Sequence, residues 1–184
     1  MADYRIYEKK PAPEGRSPLE MASYELLDSL AVKYQRVDHE PAMTIDDCKD
    51  VDALLGIGIC KNLFLCTANK QNFYLLLMPG HKPFKSKVFS KLVGSSRLSF
   101  ASPEHMAKHL GVSPGSVSVL CLLEDKEQKV RLVIDKELLK DEFFGCHPCA
   151  NTSSIKISTA DLFDKVLPAM ERRPLMVEFP CDSQ

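Results

Sequence analysis

No stretch of this chain approaches the ~18 consecutive apolar residues of a membrane-spanning helix, so no such span is expected. Neither sign of charge prevails: 24 Lys and Arg stand against 25 Asp and Glu, for a net charge of −1. A globally basic nucleic-acid binder is therefore excluded, although a local basic surface is not, because steering depends on how charge is distributed. The opening residues Met1-Ala2-Asp3-Tyr4-Arg5 lack the apolar core of a secretory signal, and a cytoplasmic location is expected. The seven cysteines are odd in number and scattered, several inside apolar runs (Cys60, Cys66, Cys121). That pattern excludes a regular disulfide framework and fits reduced, buried thiols. Internal repeats and low-complexity tracts are absent, as are a Walker loop and a dinucleotide fingerprint.

What remains is an ordinary globular balance, 45% hydrophobic and 27% charged over 184 residues, the size of one domain. Residues 1–18 are polar and hold Pro11, Pro13 and Pro18, and are expected to form a mobile arm before a single domain at 19–184. Apolar residues at helical spacing (Leu19, Ala22, Leu26, Leu27, Leu30, Ala31, Tyr34) predict an amphipathic helix over 19–36, followed by a short extended piece over 37–41. Thr44-x-x-Asp47 reads as a capping box opening a second helix towards Leu55, which Gly56 and Gly58 end. Residues 62–67 and 72–78 are apolar runs joined by Ala68-Asn69-Lys70-Gln71, a hairpin signal. A short helix over 86–93 and a brief strand over 97–100 follow. Ser102-Pro103-Glu104 is a helix start and Gly111 its C-terminal cap. An apolar run at 116–123, a charged turn at 124–128 and a return strand at 130–134 come next. After a short strand containing Ile155 and Ile157, Ser158-x-x-Asp161 caps a last helix, and 175–179 offers an edge strand. Strands and helices interleave without regular βαβ alternation, which predicts an α+β fold with a mixed sheet.

The densest chemistry lies in Gly145-Cys146-His147-Pro148-Cys149-Ala150-Asn151-Thr152. A redox Cys-x-x-Cys belongs at a strand-to-helix turn, where the helix N-terminus lowers the thiolate pKa; here another strand follows. A zinc site needs a second ligand pair. The other cysteines are isolated, and His105 and His109, at i and i+4, lack the intervening glutamate of a metalloprotease helix. Both sulfurs therefore read as small core residues beside a turn. His147 next to a proline is ordinarily structural, and Asn151 and Thr152 favour turns in their own right.

Several stretches, in order, resemble the YbaK/prolyl-tRNA-editing family, and within it the freestanding alanyl-tRNA(Pro) deacylases. They are His39-Glu40-Pro41 with Thr44, Lys61-Asn62-Leu63-Phe64-Leu65, Arg97-Leu98-Ser99-Phe100-Ala101-Ser102, residues 110–118, and Gly145 to Thr152 with its His-Pro and Asn-Thr. The resemblance spans about residues 19–167. It implies a mixed, partly barrel-like sheet surrounded by helices, and hydrolysis of the ester joining a wrong amino acid to tRNA, the pattern here resembling the members that remove alanine from tRNA(Pro) more than those that remove cysteine or serine. It needs no cofactor and no metal, and prolyl-tRNA synthetase is a further implied partner.

Carried over by position, Lys61 is the functional lysine, placed to hold the 3′-terminal phosphate or the polarised ester carbonyl, with Asn62 beside it. Gly115, Ser116 and Val117 fall in a Gly-x-x-x-Pro loop whose amides can face the carbonyl; this chain departs from it with Val119 in place of Pro. His147, with Asn151 and Thr152, would line the aminoacyl pocket. The attacking water would be activated by the tRNA's own ribose hydroxyl. Lys82, Lys85, Lys87, Lys91 and Arg97 are expected as phosphate contacts, and the N-terminal helix as a border or lid of the pocket. Two competing readings are a non-catalytic aminoacyl or tRNA sensor, favoured by Val119, and a thiol or zinc module on Cys146 and Cys149.

Overall fold

The computed structural model describes residues 4–44, 46–58 and 60–180. Its centre is the strand Phe73–Pro79 (β4), in which every residue is buried. A strand covered on both faces reads as an unbroken apolar run, which is what the sequence shows there. It pairs antiparallel with Cys60–Thr67 (β3), in register from Cys60↔Pro79 to Cys66↔Phe73. The predicted hairpin forms, its turn held by the Thr67 hydroxyl donating to Asn69 Oδ1 over 2.6 Å. Leu98–Phe100 (β5) flanks β3, and Val130–Asp135 (β6) and Leu175–Val177 (β9) extend the sheet in parallel on the far side of β4. The five-stranded order is β5-β3-β4-β6-β9.

A second, antiparallel sheet runs β1-β2-β8-β7, from Ile6–Tyr7 (β1), Tyr34–Asp38 (β2), Ser153–Ser158 (β8) and Phe143–Cys146 (β7). The main core includes Leu75, Leu77, Leu132 and Ile134 from one sheet and Tyr34, Phe144, Ile155 and Ile157 from the other. The alternate residues of β4 (Tyr74, Leu76, Met78) face a second cluster with Phe89, Leu98 and Phe179, as the two-residue period of a strand requires. The mixed-sheet α+β architecture holds; the barrel-like closure is replaced by two open sheets.

The predicted caps are realised. Pro18–Ser29 (α1) is capped by Ser17. Asp47 accepts from the Met43 and Thr44 amides while its own amide reaches Thr44 Oγ1, ahead of Lys49–Leu55 (α2). Ser86–Leu92 (α3) lies beside β5. Pro103–Leu110 (α4) begins at Ser102 and ends at Gly111, whose φ of +66° suits glycine. Ser158 caps Thr159–Asp161 (α5), which continues through a π-helical turn, Leu162–Val166, into Leu167–Ala169 (α6).

Two elements differ from the sequence reading. The helix expected over 19–36 stops at Ser29: Ala31 turns left-handed (φ +52°), the Val32 amide returns to the Leu27 carbonyl, and Tyr34 already belongs to β2. Apolar spacing that fits a helix continues by chance into a strand buried on the same core. The run 116–123 is a buried 3₁₀ helix, Val119–Leu123, rather than a strand, because Ser118 caps it and the Cys121 thiol satisfies the Ser118 amide. At the N-terminus, where an arm was expected, β1 pairs with β2, Arg36 lies 4.3 Å over the Tyr7 ring, and Arg16 bridges Glu20 and Asp38.

Candidate functional site

A cavity of about 300 Å³ opens between the start of β3, the 42–44 segment, α2, the Pro114–Gly115 turn and the β7–β8 loop. Its charged lining consists of Lys61 and Asp52. Thr44, Asn62, His147 and Ser154 add polar groups, and Ile57, Leu63, Phe64, Met106, Val117 and Cys146 supply apolar wall. Phe100, 58% exposed, stands at the rim and packs its ring against Phe84.

Lys61 is the half-buried second residue of β3, and its ammonium donates to the Lys82 carbonyl over 2.6 Å. One of its three N–H bonds is thereby fixed, leaving two for a ligand. Lys82 itself is not the surface cation expected: only 2% exposed, its ammonium bonds to Asp135 (2.9 Å), Glu137 (2.9 Å) and the Phe179 carbonyl (3.1 Å). Asp135 is fully buried. Lys82 thus leaves the set of phosphate-binding candidates; its part is to fix the turn whose carbonyl holds Lys61. Lys85, Lys87, Lys91 and Arg97 are exposed around α3 and β5.

Asn62 donates from Nδ2 to the Cys60 carbonyl, while its Oδ1 is buried without a partner among the described residues. His147 is held well enough to read its tautomer. Nδ1 lies 2.8 Å from the Ser153 carbonyl, which can only accept, so Nδ1 carries the proton and Nε2 keeps the lone pair. Burial chiefly, opposed by that hydrogen bond and assisted by His39, holds the ring below the ordinary imidazole pKa, so it is neutral at neutral pH. Ser154 Oγ links the two imidazoles, 3.0 Å from His39 Nε2 and 3.4 Å from His147 Nδ1.

Gly115 and Val117 line the cavity; Ser116 does not, and its amide donates to the Ser113 carbonyl. Gly115 adopts φ +90°, and a Cβ there would press on Met43 Sδ at 3.3 Å and the Ala42 carbonyl at 3.4 Å. Only glycine allows that turn to approach the 42–43 segment so closely. Val119 follows the capping Ser118 as the first residue of the 3₁₀ helix. That position tolerates proline because its amide needs no intrahelical acceptor, so valine preserves the geometry and the departure at this residue disturbs little.

Asn151 and Thr152, expected in the pocket wall, do not line it. The Asn151 carbonyl accepts from the Ala42 amide (2.9 Å), its Nδ2 donates to the Ala42 carbonyl (3.2 Å), and the Thr152 carbonyl accepts from the His39 amide (2.9 Å). They latch the 39–42 segment onto the β7–β8 loop, and it is Ala42 and Met43 that reach the cavity. No residue of α1 lines the cavity either, so that helix is no lid over it. Sequence reading missed Asp52 and Ser154, which nothing in their spacing distinguished, and gave no pocket role to Thr44 and Phe100, although both lie in stretches that carry the family resemblance.

Cys146 and Cys149 are buried, and burial pushes both thiols up. This is the reverse of an activated thiolate and removes the basis for the thiol reading. Gly145 packs directly against the Ile57 side chain, which a Cβ at that position would displace.

The aminoacyl-tRNA editing domain family matches residues 39–165, and the chain belongs to it. Among its relatives is the prolyl-tRNA editing protein ProX of Acetoanaerobium sticklandii, 32% identical over 143 residues, covering 78% of this chain and 87% of the relative. The prolyl-tRNA synthetase associated domain-containing protein 1 of Danio rerio is 28% identical over 157 residues and 84% of each chain. A crystal structure described as a candidate trans-editing enzyme for prolyl tRNA synthetase superposes with a TM-score of 0.65 at 16% identity, covering 90% of this chain and all of the other. No helix among the described residues is long and apolar enough to cross a membrane.

Proposed function

We propose that this protein hydrolyses the ester of mischarged tRNA(Pro), with alanine as the amino acid removed. The observation that carries the reading is the convergence of Lys61, the Gly115 turn and His147 on one small cavity in a chain of the editing family. The Lys61 ammonium, steered by the Lys82 carbonyl, stabilises the charge that develops on the ester carbonyl or holds the terminal phosphate. Gly115 and Val117 border the same cavity, and amide dipoles from that turn would act most strongly where charge appears in the transition state. The water is activated by the ribose hydroxyl of the substrate. This assigns no general base to the protein; His147 bounds the amino-acid end. At the rim of the cavity, Phe100 offers an aromatic ring to the terminal base, and beyond it Lys85, Lys87, Lys91 and Arg97 present cations to the acceptor phosphates.

Size is the logic of the selection. A synthetase site rejects a substrate one methylene smaller by only about 1–3 kcal/mol, so small amino acids are attached in error. A second site too narrow for proline removes them. Prolyl-tRNA synthetase is the activity whose errors this site corrects.

Incubating the protein with alanyl-tRNA(Pro) and prolyl-tRNA(Pro) and following ester loss tests the proposal: alanine is released and the prolyl ester survives at its uncatalysed rate. Binding of tRNA without loss of either ester would establish the sensor reading instead.

A further inference from the structure

The cavity holds one cation and one anion, and the mechanism uses only the cation. We infer that Asp52 is the residue that recognises the free α-ammonium group of the aminoacyl ester, and so separates aminoacyl esters from esters whose α-nitrogen carries no charge. The inference rests on the proposed aminoacyl-ester reading of the same site.

Asp52 sits in the first turn of α2, half-buried, and lines the cavity with Cys48, which immediately precedes that helix, and with Cys60 and Lys61 from β3. Among the described residues, no donor lies within hydrogen-bonding or ion-pairing reach of its carboxylate. Burial accordingly pushes its pKa up to about 6. A carboxylate taken out of water without a partner is costly, and it is retained where a cation arrives from elsewhere. Helix-dipole complementarity does not account for it, because the exposed Asp50 in the same turn supplies that without occupying a cavity. Behind burial, the Asp52 charge contributes to raising the Cys48 and Cys60 thiols, which line the same cavity.

The chemistry of an aminoacyl ester matches this pair. Its carbonyl oxygen becomes negative during hydrolysis, and its α-ammonium, one carbon away, is positive at neutral pH. A cation and an anion on one small cavity distinguish the two ends and orient the ester between them. A peptidyl ester carries a neutral amide at the same place and gains nothing from Asp52, so the growing chain on a ribosomal tRNA is spared while a mischarged amino acid is removed.

Two non-hydrolysable ligands test this without turnover: 3′-alanylamido-3′-deoxyadenosine, which bears the ammonium, and its 3′-lactylamido counterpart, with a hydroxyl in that position. In calorimetric titrations the wild type should bind the ammonium compound about tenfold or more tightly than the hydroxyl compound, the range expected of a charge-assisted hydrogen bond. Asp52→Asn, which keeps the shape and removes the charge, should bind the two equally; Asp52→Ala repeats the measurement should the amide create a new contact. Equal binding of the two ligands by the wild type, binding of neither, or a preference that survives in both variants overturns the inference. The deacylation assay fails separately: an intact alanyl ester with the ammonium preference present defeats the hydrolytic reading and leaves Asp52 as an ammonium-binding group.

Discussion

The two walls of the cavity are built on different terms. On the β3 wall, Lys61 and Asn62 reach the cavity from a strand whose register is fixed by β4 along its whole length, and by β5 from Leu65 onward. Each of these two side chains spends one donor on a nearby carbonyl and keeps the rest for the cavity: two N–H bonds on Lys61 and Oδ1 on Asn62. On the opposite wall, the β7–β8 loop must satisfy its backbone and that of the 39–42 segment by other means, and the polar side chains beside it are drawn into that task. Of the three polar residues expected from this loop, His147 alone faces the cavity; Asn151 and Thr152 are occupied in tying two segments together. A polar residue on a strand is thus a better candidate for chemistry than an equally suggestive one in a loop, because a loop consumes polar groups to close itself.

The strand wall depends on what lies behind it, and Lys82→Ala should show the largest effect. It leaves Asp135, fully buried, without its ammonium partner, a loss of about 3–5 kcal/mol for a broken buried pair. Urea unfolding should register it as a lower midpoint at unchanged slope. An unchanged midpoint would mean that the Lys82–Asp135 pair contributes nothing and that the Lys61 anchor has another source. Lys61→Ala, by contrast, should keep the fold by circular dichroism. Its kcat/KM on alanyl-tRNA(Pro) should fall about 10²–10³-fold, as for removal of one transition-state donor. Near-wild-type turnover would take Lys61 out of the mechanism and erase the functional distinction between the walls.

Much of this was legible before any coordinates. The caps at Ser102 and Ser158 and the Thr44–Asp47 box could be read because they are local, each a side chain bonding an amide two or three residues away. The β3–β4 hairpin was equally plain from two apolar runs around a polar turn. What escaped was set by distant contacts. Lys61 and Lys82 are both lysines near strand ends, and only the tertiary position of Asp135, 53 residues further on, makes one a buried anchor and the other a cavity cation. Asp52 reads as an ordinary acid in a first helical turn until β3 and the 145–147 segment close the cavity on it. The overrun of the first predicted helix past Ser29 has the same origin, since Tyr34 is buried whether it ends a helix or begins a strand.

Asn151→Ala addresses the other wall and carries the smallest expected effect. The substitution removes the Nδ2 bond to the Ala42 carbonyl but spares the backbone bond between the Asn151 carbonyl and the Ala42 amide. The latch is weakened rather than opened, and the stability loss should be about 0.5–1.5 kcal/mol. Because Ala42 and Met43 line the cavity while Asn151 does not, the kinetic consequence should be a modest rise in KM with kcat little changed. A residue in contact with the reacting ester would behave in the opposite way, with kcat falling steeply and stability untouched. Measuring the unfolding midpoint and the kcat–KM split on one preparation therefore decides whether this loop serves the substrate through its polar side chains or through the segment they hold in place.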